Sequence, residues 1–281
     1  MATVSIVLPT YNGERYIRTA IESIINQSFE DWELIIVNDG STDCTEAIIN
    51  EYKSQDDRIV IITNEVNKNL PASLNAGFSV SRGKYLTWTS DDNYYKKEAL
   101  AFMVNFLDGN SDVDLVCCSH DILSDDHMLI ENENDFSKNR QSHLIFHCNI
   151  GACFLYTKSI AKKVGDYDVS MFCAEDYDYW LRIALEGKIV YVDRNLYTYC
   201  LNPSSLSATK REVIKKKTTE LQLKYLDLWL KKFNLSSEER AELFYKLLKK
   251  TRKLSYVLQG HAADRSYFWG RILRIRPSIL E

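Results

Sequence analysis

Four short apolar runs, separated by segments with helical spacing, constrain the fold of this chain more than any other feature of its sequence. The runs are Val4–Pro9, Glu33–Asp39, Arg58–Thr63 and Lys84–Thr89. They are rich in β-branched residues and have the length of buried strands. The segments between them place apolar residues on one helical face. Because strands and helices alternate, the sequence predicts an α/β fold with a mostly parallel sheet flanked by helices.

Length and composition are those of a globular protein. The chain has 281 residues, of which 45% are hydrophobic and 26% charged, enough for one large domain and an appendage. No apolar run reaches the roughly 18 residues of a membrane span, and the N-terminus lacks the pattern of a signal peptide. We therefore expect a cytoplasmic protein, with the inner face of the cell membrane as an alternative location.

Cysteine spacing argues against a disulfide framework or a zinc site. The chain contains seven cysteines, an odd number, and no CxxC pair. We therefore expect reduced thiols.

The charge is distributed unevenly along the chain. Residues 210–281 contain 18 Lys and Arg against 8 Asp and Glu, whereas the rest of the chain contains 17 against 31. The composition changes near the turn-rich stretch "NPSSLSA", and the segment beyond it has the pattern of long helices. The sequence thus predicts a catalytic domain over residues 1–207 and a basic helical region over residues 208–281.

Polar clusters follow three of the predicted strands. They are "PTYN" after the first strand, "DGST" after the second and "SDDN" after the fourth. In parallel sheets ligands bind at the carboxyl ends of the strands, so these clusters are expected to share one crevice. Each also has a simpler interpretation, in which Tyr11 is an aromatic residue at the rim, Asp39 caps a helix and "SDDN" is a solvated loop.

The neighbouring carboxylates Asp91 and Asp92 require an opposite charge. At about 5 Å and an effective dielectric constant of about 20, they would repel by about 3 kcal/mol. A divalent cation such as Mg²⁺ or Mn²⁺ binds carboxylate oxygens and bridges to phosphate oxygens. The pair is therefore a candidate metal site next to a bound nucleotide.

The first half of the chain resembles family 2 glycosyltransferases of the GT-A fold. The resemblance rests on "VSIVLPTYNGERYIRTAIESIINQSFEDWELIIVNDGSTDCT" and on "SLNAGFSVSRGKYLTWTSDDN", which precedes a DXD-type metal motif, and it covers roughly residues 3–205. It implies a GT-A fold and a nucleotide site. In that site Pro9, Thr10 and Tyr11 would line the base pocket, Asp39 would accept a hydrogen bond from the base, Asp91 would contact the ribose or the sugar, and Asp92 would bind the metal.

A later acidic stretch, "AEDYDYWLR", resembles the family motif whose aspartate is the catalytic base. The resemblance assigns this role to Asp176, with Asp178 as a second candidate and Glu175 as a neighbour that orients the acceptor. The alternative is structural, because acidic residues stabilise the N-terminus of the helix predicted to end at Gly187.

The sequence departs from the family pattern at several positions. Thr89 stands where many members have a further acid, which leaves the roles of Asp91 and Asp92 open. Asn69 stands where a glycine is common, next to Lys68, which either reaches the diphosphate or is merely solvated. Asn75 and Gly77 match the pattern and are expected to pack a helix beside the site.

Two later loops match the family less clearly. His147 either contacts a phosphate or the acceptor, or has a structural role. Cys200 and Asn202 interrupt a motif that is common in relatives, so a metal or phosphate contact from that loop is not expected.

The basic C-terminal region allows two interpretations. Its helices either pack on the catalytic domain or on a second subunit, forming a homodimer, or they bind anionic lipid as a peripheral membrane surface. We find no recognised nucleic-acid-binding module in it.

Taken with the resemblance, these features predict a metal-dependent, inverting glycosyltransferase of the hexosyltransferase type. Its donor would be a nucleotide sugar, most simply a UDP-sugar, and its acceptor a glycan or a lipid-linked molecule in cell-surface polysaccharide or glycan synthesis. The alternatives are a sugar-phosphate nucleotidyltransferase and a nucleotide-sugar-binding protein without activity.

Overall fold

The computed structural model describes residues 2–124, 128–131 and 139–273. Residues 274–281 of the predicted basic region therefore lie outside the described residues. The strands are β1 (Val4–Thr10), β2 (Trp32–Asn38), β3 (Ile59–Thr63), β4 (Tyr85–Trp88), β5 (Tyr94–Tyr95), β6 (Leu115–Leu123), β7 (Leu129–Glu131), β8 (Cys153–Thr157) and β9 (Ile189–Cys200). The helices are α1 (Ile17–Ile25), α2 (Thr45–Lys53), α3 (Leu70–Val80), α4 (Ala99–Gly109), α5 (Lys158–Val164), α6 (Glu175–Glu186), α7 (Leu206–Thr209), α8 (Arg211–Lys232), α9 (Ser237–Thr251), α10 (Ser255–Ala263) and α11 (Arg265–Leu273).

The strands of the described residues form a single sheet of nine, in the order β3-β2-β1-β4-β8-β6-β9-β5, with β7 paired to β6. The first four are parallel to one another, as predicted. Strand β8 then enters antiparallel between β4 and β6, and β6 pairs in parallel with β9. The predicted α/β fold class is confirmed, and the sequence did not indicate the antiparallel insertion of β8.

Helices cover both faces of this sheet. Ile6 and Leu8 on β1 belong to one buried cluster together with α1, whereas Val7 belongs to the cluster on the other face. Gly77 lets α3 approach β1 closely, because a Cβ atom there would lie 2.5 Å from Cγ1 of Val7. Asn75 also packs α3, since its side chain exchanges two hydrogen bonds with the backbone of Tyr167.

The C-terminal helices α8 and α9 contribute to the same core as the sheet. Trp229 is fully buried, and its indole nitrogen donates to the carbonyl oxygen of Ser142 at 2.9 Å. Nε2 of His143 and Oε1 of Glu239 are hydrogen-bonded at 2.8 Å, which links the middle of the chain to α9. These contacts support packing of the basic region on the rest of the chain; the division at residues 207 and 208 stays a prediction.

Two further observations concern membrane-spanning helices and the cysteines. No helix in the described ranges combines the length and the apolar character needed to cross a membrane. The seven cysteines are free thiols.

Removal of the Trp229 side chain should show that α8 is part of the folded core. We expect Trp229→Ala to lower the free energy of unfolding by about 3–5 kcal/mol, because it leaves a large cavity. Urea denaturation measures this loss. The neighbouring Leu228 is 53% exposed, so Leu228→Ala should change stability by no more than about 0.5 kcal/mol. Equal stability of the two variants would contradict the shared core.

Candidate active site

A cleft of about 850 Å³ lies at the carboxyl ends of β1, β2 and β4. It is lined by most of the residues singled out in the sequence: Pro9, Thr10, Tyr11, Asp39, Asp91, Asp92, His147, Glu175 and Asp176. Lys68 and Asp178 are not among the lining residues. The cleft therefore brings together side chains from widely separated parts of the chain. Those that follow β1, β2 and β4 were expected there from the strand-end rule, by which ligands bind at the carboxyl ends of parallel strands.

Hydrogen bonds connect the loops that follow β1 and β2. The backbone nitrogen of Gly13 donates to Oγ1 of Thr45 at 2.9 Å, and that of Thr42 donates to Oδ1 of Asn12 at 2.8 Å. A Cβ atom on Gly13 would lie 2.3 Å from Oδ2 of Asp91, so a larger residue there would displace that carboxylate. The two hydrogen bonds link Asn12 and Gly13, which line the cleft, to the segment that follows β2.

Asp39 is held at the cleft by two donors. Its Oδ1 accepts bonds from the amide of Asn64 at 2.7 Å and from the backbone nitrogen of Lys68 at 2.9 Å. The carboxylate is 4% exposed and lines the cleft. Lys68 thus contributes through its backbone, while its side chain is exposed. A fixed acceptor of this kind suits an N–H group of a nucleobase.

Asn69 has a backbone conformation that glycine adopts more readily than other residues. Its φ is +70° with ψ of 161°, a conformation that is almost restricted to glycine. The backbone nitrogen of Asn69 donates to Oδ1 of Asn67 at 2.9 Å, which holds the loop in this conformation. Both asparagines line the cleft.

Asp91 is a carboxylate in an unfavourable environment. Oγ1 of Thr10 donates to its Oδ2 at 2.5 Å. Burial raises the pKa of Asp91 to about 7, and the charge of Asp92 adds to the effect. The group is therefore near the midpoint of its titration at neutral pH and would be stabilised as an anion by a nearby positive charge.

Asp92 is bound by a residue that the sequence did not indicate. The amide nitrogen of Asn202, after β9, donates to Oδ2 of Asp92 at 3.0 Å. Burial raises the pKa of Asp92 as well. Thr89 is buried and shares a hydrogen bond of 2.5 Å with the hydroxyl of Tyr197.

These acids fit a cation that takes few ligands from the protein. Among the residues that the structure describes, no group of three or more His, Cys, Asp and Glu side chains could hold a metal. Mg²⁺ is commonly bound by one or two carboxylates together with water and substrate phosphates. Asp91 and Asp92, whose pKa values are raised, supply this number of carboxylates at the cleft.

Glu175 and Asp176 begin α6 on another wall of the cleft. Glu175 is 4% exposed, and burial, followed by the charge of Asp176, raises its pKa to about 8. Oδ1 of Asp176 accepts a bond from the backbone nitrogen of Tyr177 at 2.6 Å, while burial raises the pKa of Asp176. Burial raises the pKa of Tyr199 too, and the charges of both Asp92 and Asp176 raise it further. The charges of Asp92 and Asp176 therefore both influence the pKa of Tyr199, which lines the cleft.

Asp178, the second candidate for the base, has a structural environment. It is fully buried and accepts bonds from Arg182 at 2.8 Å, Lys224 at 3.1 Å and Tyr225 at 2.8 Å. Since Lys224 and Tyr225 lie on α8, this carboxylate joins α6 to the C-terminal helices.

The sequence also gave no indication that the C-terminal helices reach the cleft. Ile214 and Thr218 of α8 and Lys250 of α9 are lining residues. Asn202 follows the end of a strand, so the strand-end rule could have found it once β9 was recognised. No comparable local signal exists for the three helical residues.

The family model described as Glycosyl transferase family 2 matches residues 5–165, more than half of the chain. The chain belongs to glycosyltransferase family 2. An uncharacterized glycosyltransferase of Rickettsia typhi is 34% identical over 202 residues, which are 69% of this chain and 62% of the relative. The match thus spans less than two thirds of that relative's length.

Solved structures share the fold of this family 2 member. S. aureus TarS in complex with UDP-GlcNAc has a TM-score of 0.67 at 18% identity and covers 95% of this chain and 80% of that one. The mannosyltransferase PcManGT from Pyrobaculum calidifontis, in complex with GDP-Man and Mn²⁺, has a TM-score of 0.64 at 16% identity, with coverages of 94% and 74%. The predicted GT-A-type fold is confirmed.

The raised pKa of Glu175 predicts a pH-dependent stability difference. A folded-state pKa near 8, above the unfolded value of about 4.3, means that stability falls as pH rises between these two values. Glu175→Gln cannot ionise, so it should be more stable than the parent protein at pH 9 and lose this advantage at pH 5. Urea denaturation at both pH values measures the difference.

Glu186 at the other end of α6 provides the control. Its hydrogen bond with Lys163 lowers the pKa of Glu186, so Glu186→Gln should give no gain at pH 9. A Glu175→Gln variant that gains nothing at pH 9 would contradict the raised pKa.

Proposed function

We propose that this protein is a metal-dependent, inverting hexosyltransferase that moves a sugar from a UDP-sugar to a hydroxyl group of a glycan or a lipid-linked acceptor. The observation that carries the proposal is the position of Asp39, Asp92 and Asp176 on one cleft. They provide a base acceptor, a metal ligand and a proton acceptor. Family membership supports sugar transfer, and synthesis of cell-surface polysaccharide or another glycan is the process that we propose for it.

The donor base would bind between Tyr11 and Asp39. Tyr11 is 50% exposed at the cleft, where its ring can stack on a base. Oδ1 of Asp39 is occupied by Asn64 and Lys68, which leaves Oδ2 to accept the N–H of uracil. The structural neighbours include complexes with a UDP-sugar and with a GDP-sugar, so the fold accommodates both bases and the donor must be tested.

The diphosphate would lie beside Asp91 and Asp92. We propose that Asp92 is the principal ligand of Mg²⁺ or Mn²⁺ and that Asp91 faces the ribose or the sugar. When bound, the cation neutralises charge on the departing diphosphate. The hydrogen bond from Asn202 fixes the carboxylate of Asp92 for this role.

Asp176 would remove the proton of the acceptor hydroxyl. Inversion requires that this oxygen attacks the anomeric carbon from the face opposite the diphosphate, with a base beside it. Two adjacent carboxylates divide their proton unequally. Burial raises the pKa of both Glu175 and Asp176, which suits a pair of carboxyl groups that accepts a proton near neutral pH. The position of the pair on the cleft, together with the resemblance to the family motif, supports Asp176 as the base and Glu175 as its neighbour that orients the acceptor.

The alternatives lack comparable support. A sugar-phosphate nucleotidyltransferase would need a glycine-rich phosphate loop after the first strand. Here that loop contains only Gly13, and the glycine packs against Thr10 and Asp91. A binding protein without activity would not hydrolyse a bound nucleotide sugar, whereas a glycosyltransferase does so slowly when metal is present.

Asp176→Asn should separate chemistry from donor binding. The amide keeps the size of the carboxylate but cannot accept the proton, so the rate of sugar transfer or donor hydrolysis should fall by about 10²–10⁴. The affinity for UDP, measured by calorimetry with Mn²⁺, should change little because Asp176 lies on a different wall from Asp39 and Asp92. Weak UDP binding in this variant would assign Asp176 to the donor site, and near-normal turnover would move the role of base to Glu175.

Asp92→Ala should affect the metal-dependent part of binding. We expect the gain in UDP affinity on addition of Mn²⁺ to be lost, while thermal unfolding shows a folded protein. Asn202→Ala serves as a graded comparison, because it removes one hydrogen bond to Asp92 and should reduce the Mn²⁺ effect only in part. An unchanged Mn²⁺ effect in Asp92→Ala would reject this residue as the metal ligand.

Attachment to membranes and homodimer formation through the C-terminal helices stay predictions.

A further inference from the structure

A group of basic side chains lies where α8 and α9 close the cleft. We call it the basic rim and define it as His147, Lys215, Lys246 and Lys250. His147 and Lys250 line the cleft directly. Lys215 and Lys246 are close enough to act on the charge of Lys250, since they lower the pKa of Lys250 together with desolvation, the largest cause.

Lys250 is held in position by a buried amide. Gln222 of α8 is 2% exposed, and its Nε2 donates to the carbonyl oxygens of Ile145 at 2.8 Å and Phe146 at 3.2 Å. These two bonds fix the amide orientation, so that Oε1 faces α9 and accepts a bond from Nζ of Lys250 at 2.8 Å. The ammonium group is therefore fixed at the wall of the cleft by a neutral partner.

The positive charge of the basic rim is only partly compensated. Lys246 lies 3.8 Å from Glu242, and Lys215 lies 4.0 Å from Glu212, an exposed pair of little strength. His147 feels the same field, because desolvation and then the charges of Lys246 and His143 lower its pKa. An anion at this place would gain charge-assisted hydrogen bonds.

The basic rim lies on the acceptor side of the cleft. Cys148 follows His147 and also lines the cleft, and after desolvation the charge of Asp176 helps to raise the pKa of its thiol. The rim thus borders the proposed base, whereas Tyr11 and Asp39 hold the proposed nucleobase at the strand ends.

We propose that the basic rim binds a phosphate group of the acceptor, with Lys250 as its direct ligand. The acceptor class is then a hydroxyl compound that carries a phosphate ester, either a polyol phosphate or a lipid-linked phosphate. This inference rests on the proposed function, since it assigns the substrate that receives the sugar.

Binding of two small phosphate esters tests the basic rim. The probes are glycerol 3-phosphate and geranyl phosphate, and glycerol and geraniol serve as uncharged controls. Dissociation constants are measured by calorimetry with and without UDP and Mg²⁺, so that binding at the donor site is recognised. We expect at least one phosphate to bind while UDP is present, more weakly at high salt.

Lys250→Gln should weaken phosphate binding by about 10-fold or more, because a charge-assisted hydrogen bond is lost. Lys249→Gln is the matched control: Lys249 is the neighbouring lysine on the same helix, is exposed and does not line the cleft. It should bind phosphate as the parent protein does.

Preference for geranyl phosphate would indicate a lipid-linked acceptor, and preference for glycerol 3-phosphate would indicate a polyol phosphate.

The inference is overturned if Lys250→Gln binds phosphate as well as the parent protein, if the alcohols bind equally well, if UDP displaces the probes or if neither phosphate binds. UDP binding and nucleotide-sugar hydrolysis, measured in the same proteins, distinguish this failure from that of the proposed function. Normal donor binding and hydrolysis without phosphate binding would reject the basic rim alone. Phosphate binding without any donor binding would instead reject the proposed donor.

Discussion

Burial of four carboxylates in one cleft is the constraint on which this site depends. Asp91, Asp92, Glu175 and Asp176 all line one cleft, and burial raises the pKa of each of them. Such an arrangement costs stability in the free protein unless protons or cations are bound. In the proposed function, a cation and the phosphates of the donor would bind together at these carboxylates, and one of them would accept a proton.

Helix α8 of the C-terminal region contacts α6, the helix that begins with Glu175 and Asp176. Asp178 lies on α6 two residues beyond Asp176 and accepts bonds from Lys224 and Tyr225 of α8. Asp178 also accepts a bond from Arg182 of α6, and the side chain of Lys224 is 46% exposed. The two bonds from α8 therefore connect α6, and with it Asp176, to the C-terminal helices. The helices that carry the basic rim also help to orient the proposed base.

The sequence predicted the parts of the site that follow a local rule. Alternating strands and helices indicated β1 to β4, and the strand-end rule indicated Asp39, Asp91 and Asp92 before any contact was known. It could not indicate the antiparallel insertion of β8, the bond from Asn202 to Asp92 or the approach of Lys250, because these depend on pairing between distant segments. For Lys68 the sequence left open a contact with the diphosphate or simple solvation; in the structure its backbone nitrogen holds Asp39 and its side chain is exposed. A local sequence pattern indicates which residues lie near the site, whereas tertiary packing decides which atoms of those residues make contacts there.

Both the acidic and the basic part of the chain contribute charged residues to the cleft. The acidic part contributes the strand-end carboxylates, and the basic part contributes Lys250, so one cleft contains groups of opposite charge from the two parts of the chain. A donor diphosphate approaching Asp91 and Asp92 would be repelled unless a cation came with it. The proposed acceptor phosphate would bind instead beside Lys250 of α9. Separation of charge along the cleft would thus place two anionic substrates in defined positions, with Asp176 near the hydroxyl that must react.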